Sequence, residues 1–203
     1  MNRNDNSRKM CYLVTFYRQI TKEPMKLIIL DRDGVINYDS EHYIKSPEEW
    51  IPIPGSLEAI ARLTHAGYHV VVATNQSGVG RGLFDIETLH YIHQKMHRLT
   101  FETGGLIEAI TFCTAIEENH YYRKPNPGML EDIGRRLKVS LRGVPAVGDS
   151  LHDLLAAQNV SAKPILVRTG KGEQTLIRIA DNHDILVFEN LAAVADFLIV
   201  HSD

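Results

Sequence analysis

The sequence predicts a three-layer α/β/α sandwich built on a mostly parallel, Rossmann-like sheet without a large cap domain, and three observations predict it. Short apolar, β-branched runs alternate with longer segments of helical period from Lys26 onward. Those runs are apolar at successive positions, as in strands that helices cover on both faces. Polar clusters follow four of the runs, where open α/β sheets gather their ligands.

Taken in order, residues 1–25, "MNRNDNSRKMCYLVTFYRQITKEPM", open polar, show one brief apolar patch and match nothing downstream. They are expected to be a flexible N-terminal extension, with one domain over 26–203. The first strand is "KLIIL" (26–30). Helix "GSLEAIARLTHAG" (55–67) ends on a glycine, a C-cap signal, and strand "YHVVVAT" (68–74) follows. Asp85 opens the helical stretch "DIETLHYIHQKMHRLTFETG" (85–104) as an N-cap. Strand "LIEAITFCT" (106–114), helix "NPGMLEDIGRRLKV" (126–139), strand "VPAVGD" (144–149) and helix "SLHDLLAAQNV" (150–160) come next. "KPILVRT" (163–169), "DILVFE" (184–189) and the helix "NLAAVADFLIV" (190–200) complete the series. Strand–helix alternation of this kind implies right-handed crossovers.

A chain of 203 residues buries one substantial core. Its net charge of −3 and the lack of a long Lys/Arg run remove the footprint of a nucleic-acid binder. Cys11 and Cys113 cannot form a disulfide framework and fit a reducing, cytoplasmic compartment. The apolar stretch near the N-terminus is cut by Arg18 and is too short to span a membrane. The expected partner is a small molecule, with neither nucleic acid nor membrane, and the expected state is a monomer.

The four clusters are "DRDG" (31–34), "TNQSGVGRG" (74–82), "RKPNPG" (123–128) and "GDSLHD" (148–153). Two carboxylates at one strand end, Asp31 and Asp33, resist joint ionisation unless a cation binds between them, and Mg²⁺ prefers such oxygen donors. Alternate residues of an extended strand end would point similarly, with Arg32 facing away. "GVGRG" lacks the Lys-Ser/Thr of a P-loop and the spacing of the dinucleotide fingerprint, so it reads as a mobile substrate loop with Arg81 reaching a distal phosphate.

Together the clusters resemble, in order, the four motifs of the haloacid dehalogenase (HAD) superfamily of phosphohydrolases. The resemblance implies a Mg²⁺-dependent phosphomonoesterase with Asp31 as nucleophile and Asp33 as acid and base. It also implies a Mg²⁺ site of the Asp31 carboxylate, the Asp33 backbone carbonyl and Asp149, supported by Asp153. The Thr74 hydroxyl, the Asn75 backbone amide and Lys124 would hold the phosphoryl group. Neither interval between motifs has room for a cap domain, so specificity would lie in short loops.

Among capless members the phrases are similar to those of the heptose-bisphosphate and histidinol-phosphate phosphatases. The former supply precursors for the lipopolysaccharide inner core and for glycosylated surface layers. The substrate expected on this likeness is D-glycero-D-manno-heptose 1,7-bisphosphate at its 7-phosphate, with Arg123 beside Lys124 as a second cation. Histidinol phosphate and other small esters are the alternatives; a non-catalytic phosphate-binding protein and a phosphatase of nucleic-acid ends are the readings outside that class.

The group's structural Zn²⁺ loop is altered. In "CTAIEENHYYRKP", Cys113 stays, Ala115 replaces a histidine, and His120 and Tyr122 take the last two ligand places, so zinc is not expected. Cys113 then reads as a buried, inert thiol. His90, His93 and His97 read as a solvated helix face, and Tyr38, Tyr43 and Lys45 as residues of the substrate entrance or of the loop itself.

Overall fold

A computed structural model describes residues 25–179 and 185–201; the extension expected over 1–25 lies outside them save for its last residue. Six strands form one parallel sheet: β1 (Lys26–Leu30), β2 (Tyr68–Asn75), β3 (Ile107–Cys113), β4 (Pro145–Gly148), β5 (Lys163–Val167) and β6 (Leu186–Phe188). Their order is β3-β2-β1-β4-β5-β6. The chain therefore winds outward from β1 in one direction and, after β3, returns to β4 at its other side. The crevice between the carboxyl ends of β1 and β4 is the switch point where this class of sheet binds ligands.

Side chains alternate across β1 and β2 and are buried on both faces. Ile28, Leu30, Val70 and Val72 enter one core, and Leu27, Ile29, Val71 and Ala73 the other. The first core is closed by α1 (Ser56–His65), α3 (Ile86–Glu102) and α7 (Leu191–Val200), the second by α4 (Gly128–Leu137) and α5 (Leu151–Asn159). The three layers are those read from the sequence.

Two short helices were not read. α2 (Ser77–Gly80) is a single turn in the glycine-rich "GVGRG" stretch, closed by Arg81 N–H to Ser77 O at 2.9 Å. α6 (Gly172–Arg178) buries only Gly172 and Thr175, so it has no apolar stripe to reveal it. The predicted cap forms, with Asp85 accepting from Thr88 N–H at 2.8 Å; Asn190 likewise accepts from Ala193 N–H at 3.0 Å, and Ser150 makes a capping box with Asp153. The 31–55 segment is not a lid. Val35, Ile36, Ile44 and Trp50 pack into the first core, and Lys95 of α3 donates to Pro47 O (2.6 Å) and Trp50 O (2.8 Å).

Candidate active site

The backbone amide of Asp31 donates to Val147 O at 2.9 Å, extending the β1–β4 ladder by one residue past the strand end. This holds Asp31 beside Asp149, the residue following β4. Ligand oxygens of Asp31, Asp149 and Asp153 lie within 4.8 Å of one another. Lys124, 4% exposed, reaches into the group with Nζ 3.0 Å from Asp31 Oδ1 and 2.5 Å from Asp153 Oδ1, and donates to Ala73 O at 2.7 Å.

Charge is unequally served here. Burial first, then the Asp153 charge, raise the Asp31 pKa to about 7. Burial and the charges of Asp153 and Asp31 raise Asp149 to about 8. Burial also opposes the Asp153 charge, yet Lys124 and the Ser150 hydrogen bonds outweigh it and its pKa is lowered. For Lys124, burial disfavours the cation, but Asp153 and Asp31 more than offset this and the pKa is raised. Three carboxylates around one ammonium leave a deficit of positive charge, and their all-oxygen donors suit a hard divalent cation. Mg²⁺ fits this set.

Asp33 has a different environment, and the period of two expected of an extended strand end does not hold, because β1 stops at Leu30. Its Oδ1 accepts from Arg32 Nε (3.0 Å), Arg32 Nη2 (2.8 Å) and Asn37 Nδ2 (2.8 Å), its Oδ2 from Arg32 Nη2 (2.9 Å) and Gln76 Nε2 (2.9 Å). Arg32 does not point away; it is fully buried. Its Nη1 lies 3.4 Å from Nε2 of His93, which is 6% exposed and not on a solvated face. The sequence reading of both residues is corrected on the same ground: each finds a hydrogen-bond partner in the interior, which is what makes burial tolerable.

Thr74, at the end of β2, is buried, and its Oγ1 accepts from Gln76 Nε2 at 2.9 Å, so one amide ties it to Asp33. The Asn75 side chain grips Lys124 by its backbone, accepting from Lys124 N–H and donating to Lys124 O, both at 3.0 Å. Arg81 is exposed beyond α2. Arg123 is half-buried and spends one donor on Ala115 O at 2.9 Å. Neither forms an ion pair with the acids among the described residues. Cys113 is buried, which raises its pKa, with Sγ 3.7 Å from His120 Nδ1; Tyr122 N–H also points to that nitrogen, at 3.3 Å.

The loop after β5, "RTGKG", was missed. Lys171 N–H donates to Asp149 Oδ2 at 2.8 Å, Thr169 Oγ1 to Gly34 O at 2.6 Å, and Thr175 Oγ1 to Asp149 O at 2.8 Å. Gly34 has φ +79°, and a Cβ there would lie 2.0 Å from Asp149 Oδ2, so only glycine permits this approach. The signal was present: the loop follows another strand's carboxyl end, where the switch-point rule directs attention.

Comparison with known proteins identifies the family of the chain. The Polynucleotide kinase 3 phosphatase family matches residues 26–150, and the HAD-hydrolase-like family residues 121–194. The D-glycero-beta-D-manno-heptose-1,7-bisphosphate 7-phosphatase of Bordetella bronchiseptica is 56% identical over 176 residues, 86% of this chain and 98% of that protein. Its namesake in Pseudomonas putida is 52% identical, covering 86% of this chain and the whole of that protein. The crystal structure of the B. bronchiseptica D,D-heptose 1,7-bisphosphate phosphatase complexed with magnesium and phosphate superposes with a TM-score of 0.84 at 55% identity, covering 87% of this chain and 99% of that one. The chain belongs to the HAD-like phosphatases, the phosphoric monoester hydrolases of which these relatives are members.

Proposed function

We propose that the protein removes the 7-phosphate of D-glycero-β-D-manno-heptose 1,7-bisphosphate through an aspartyl-phosphate intermediate. The observation carrying the chemistry is the separation of two neighbouring carboxylates into different surroundings. Asp31 faces Lys124 and the acid cluster, while Asp33 sits among hydrogen-bond donors. The β-anomer and the 7-position come from the relatives' names.

Asp31 attacks phosphorus in line, forming the acyl phosphate as the sugar oxygen departs with a proton from Asp33. Asp33, now a base, takes a proton from the water that opens the acyl phosphate. Lys124, fixed by Asn75 and Asp153, places its charge where phosphoryl oxygens gather charge. The Thr74 hydroxyl and the Asn75 backbone amide bind the same oxygens, and Arg123 and Arg81 meet the distal phosphate. Asp31, Asp149 and the Asp33 backbone carbonyl would hold Mg²⁺, which would supply positive charge to offset the anionic nucleophile and the anionic ester. Asp153 is the anchor of Lys124 in this scheme.

Phosphate release from both anomers of the heptose bisphosphate, with Mg²⁺ and with EDTA, tests the reading. Histidinol phosphate, fructose 1,6-bisphosphate and a 3′-phosphorylated oligonucleotide serve as competing substrates. A Mg²⁺-dependent preference for the β-heptose is expected. Equal rates on all esters, or preference for the oligonucleotide, would overturn it.

A further inference from the structure

Arg32 and His93 form a buried pair that the chemistry above does not use directly. The guanidinium turns Nε and Nη2 toward Asp33 and Nη1 toward His93 Nε2. His93 comes from α3, on the side of the first core, and its ring packs at 58° to Phe112 with centroids 5.7 Å apart. A guanidinium has donors only and keeps its protons, so Nη1 donates and His93 Nε2 accepts. The ring proton then sits on Nδ1. Burial, and next the Arg32 charge, hold the His93 pKa well below its ordinary value, so the ring is neutral and able to accept.

We propose that His93 is a positioning residue for phosphate-ester hydrolysis: through Arg32 it fixes the orientation of the Asp33 carboxylate. This rests on the assignment of proton transfer to Asp33. An arginine side chain has several rotatable bonds, and its flat fork matches a carboxylate only in one plane. His93 Nε2 is the acceptor that holds the outward nitrogen and so sets that plane. Without it a buried N–H is left unpaired. The fork then turns toward another acceptor, and Asp33 keeps only one amide on each oxygen, from Asn37 and Gln76.

Three variants separate this role from simple packing: His93→Leu, close in volume but without an acceptor; His93→Gln, which retains one; and Asp33→Asn as reference. The readout is kcat/KM for the heptose bisphosphate, whose alkoxide must be protonated to leave, beside p-nitrophenyl phosphate, whose leaving group needs no proton. Since a general acid contributes roughly 10²–10⁴-fold, Asp33→Asn should lower the sugar value by at least about 100-fold and the nitrophenyl value far less. His93→Leu should follow the same pattern at roughly 10- to 100-fold, with His93→Gln within about threefold of the parent. Melting curves accompany each variant. An equal loss on both esters in His93→Leu, or no rescue by glutamine, overturns the proposal while leaving Asp33's role standing. An unchanged ester ratio in Asp33→Asn overturns the assignment of Asp33 itself, and the proposal with it.

Discussion

Replacing Lys124 by methionine, which keeps the stem and removes the charge, tests the electrostatic account of the site. In the native fold its ammonium, 4% exposed, serves Asp31, Asp153 and the Ala73 carbonyl at once. Removing one partner of a buried ion pair costs about 3–5 kcal/mol, because the remaining charges lose their compensation. For a domain of this size each kcal/mol is worth about 2–4 °C, so the expected fall in Tm is about 6–20 °C in EDTA. The assay is thermal unfolding by circular dichroism, in EDTA and in excess Mg²⁺, across pH 5 to 8. The unpaired acids can escape their penalty by binding protons, so the gap between variant and parent should narrow toward pH 5. Turnover should fall at least about 100-fold, as for loss of one preorganised transition-state contact. A Tm within about 3 °C of the parent in EDTA at pH 8 would refute the view that this lysine balances the buried acids.

Three further outcomes follow from the same geometry. Asp31→Asn should reduce turnover to background while raising Tm in EDTA at neutral pH, since a buried carboxylate crowded by like charge is removed; activity near the parent's would dismiss it as nucleophile. In the metal-free protein Asp31 and Asp149 keep protons at pH values where the unfolded chain has lost them, so stability should fall as pH rises from the ordinary carboxylate range to about 8. Mg²⁺ should flatten that slope, and denaturant melts with and without EDTA that run parallel would count against the cluster as the metal's seat. Gly170→Ala would place a Cβ 2.1 Å from Asp149 Oδ2 and 2.6 Å from the Gly34 backbone, at φ +60°. Displacing an outer support of a metal ligand costs about 10–100-fold in affinity, so a Mg²⁺ titration of activity should shift by that factor; an unshifted curve would mean that the loop does not hold Asp149.

The six strands, the five longer helices and the acids at the strand ends were legible because each is a local signal. Apolar runs, capping residues and motif spacing all act within a few positions along the chain. The failures were non-local. Whether Arg32 faces solvent or Asp33 depends on an acceptor supplied by His93, sixty-one residues later in the chain. A histidine at helical spacing looks the same on a wet or a dry face until the packing of Phe112 against it is known. Likewise the sequence gives Asn75 a role through its backbone amide, and only the fold shows its side chain clasping Lys124. Helix α6 carries too few buried residues for periodicity to detect.

The two acids of "DRDG" differ in what surrounds them rather than in their own chemistry. Asp31 is buried and crowded by like charge, which pushes it toward its neutral form, while Lys124 and a bound cation would favour its anion. In the proposed reaction its activation would then depend on the same cation that would draw in the phosphate. Asp33 accepts only donated hydrogens, from Arg32, Asn37 and Gln76, an arrangement that fixes a carboxylate in space. A proton-transfer group must be aimed, whereas a nucleophile must be activated. The turn that begins where β1 stops would let one short segment meet both demands of the proposed reaction, because Asp31 stays in the ladder beside Val147 while Gly34 carries the chain tightly past Asp149. Had the strand continued through Asp33, both carboxylates would face one side and share one electrostatic fate.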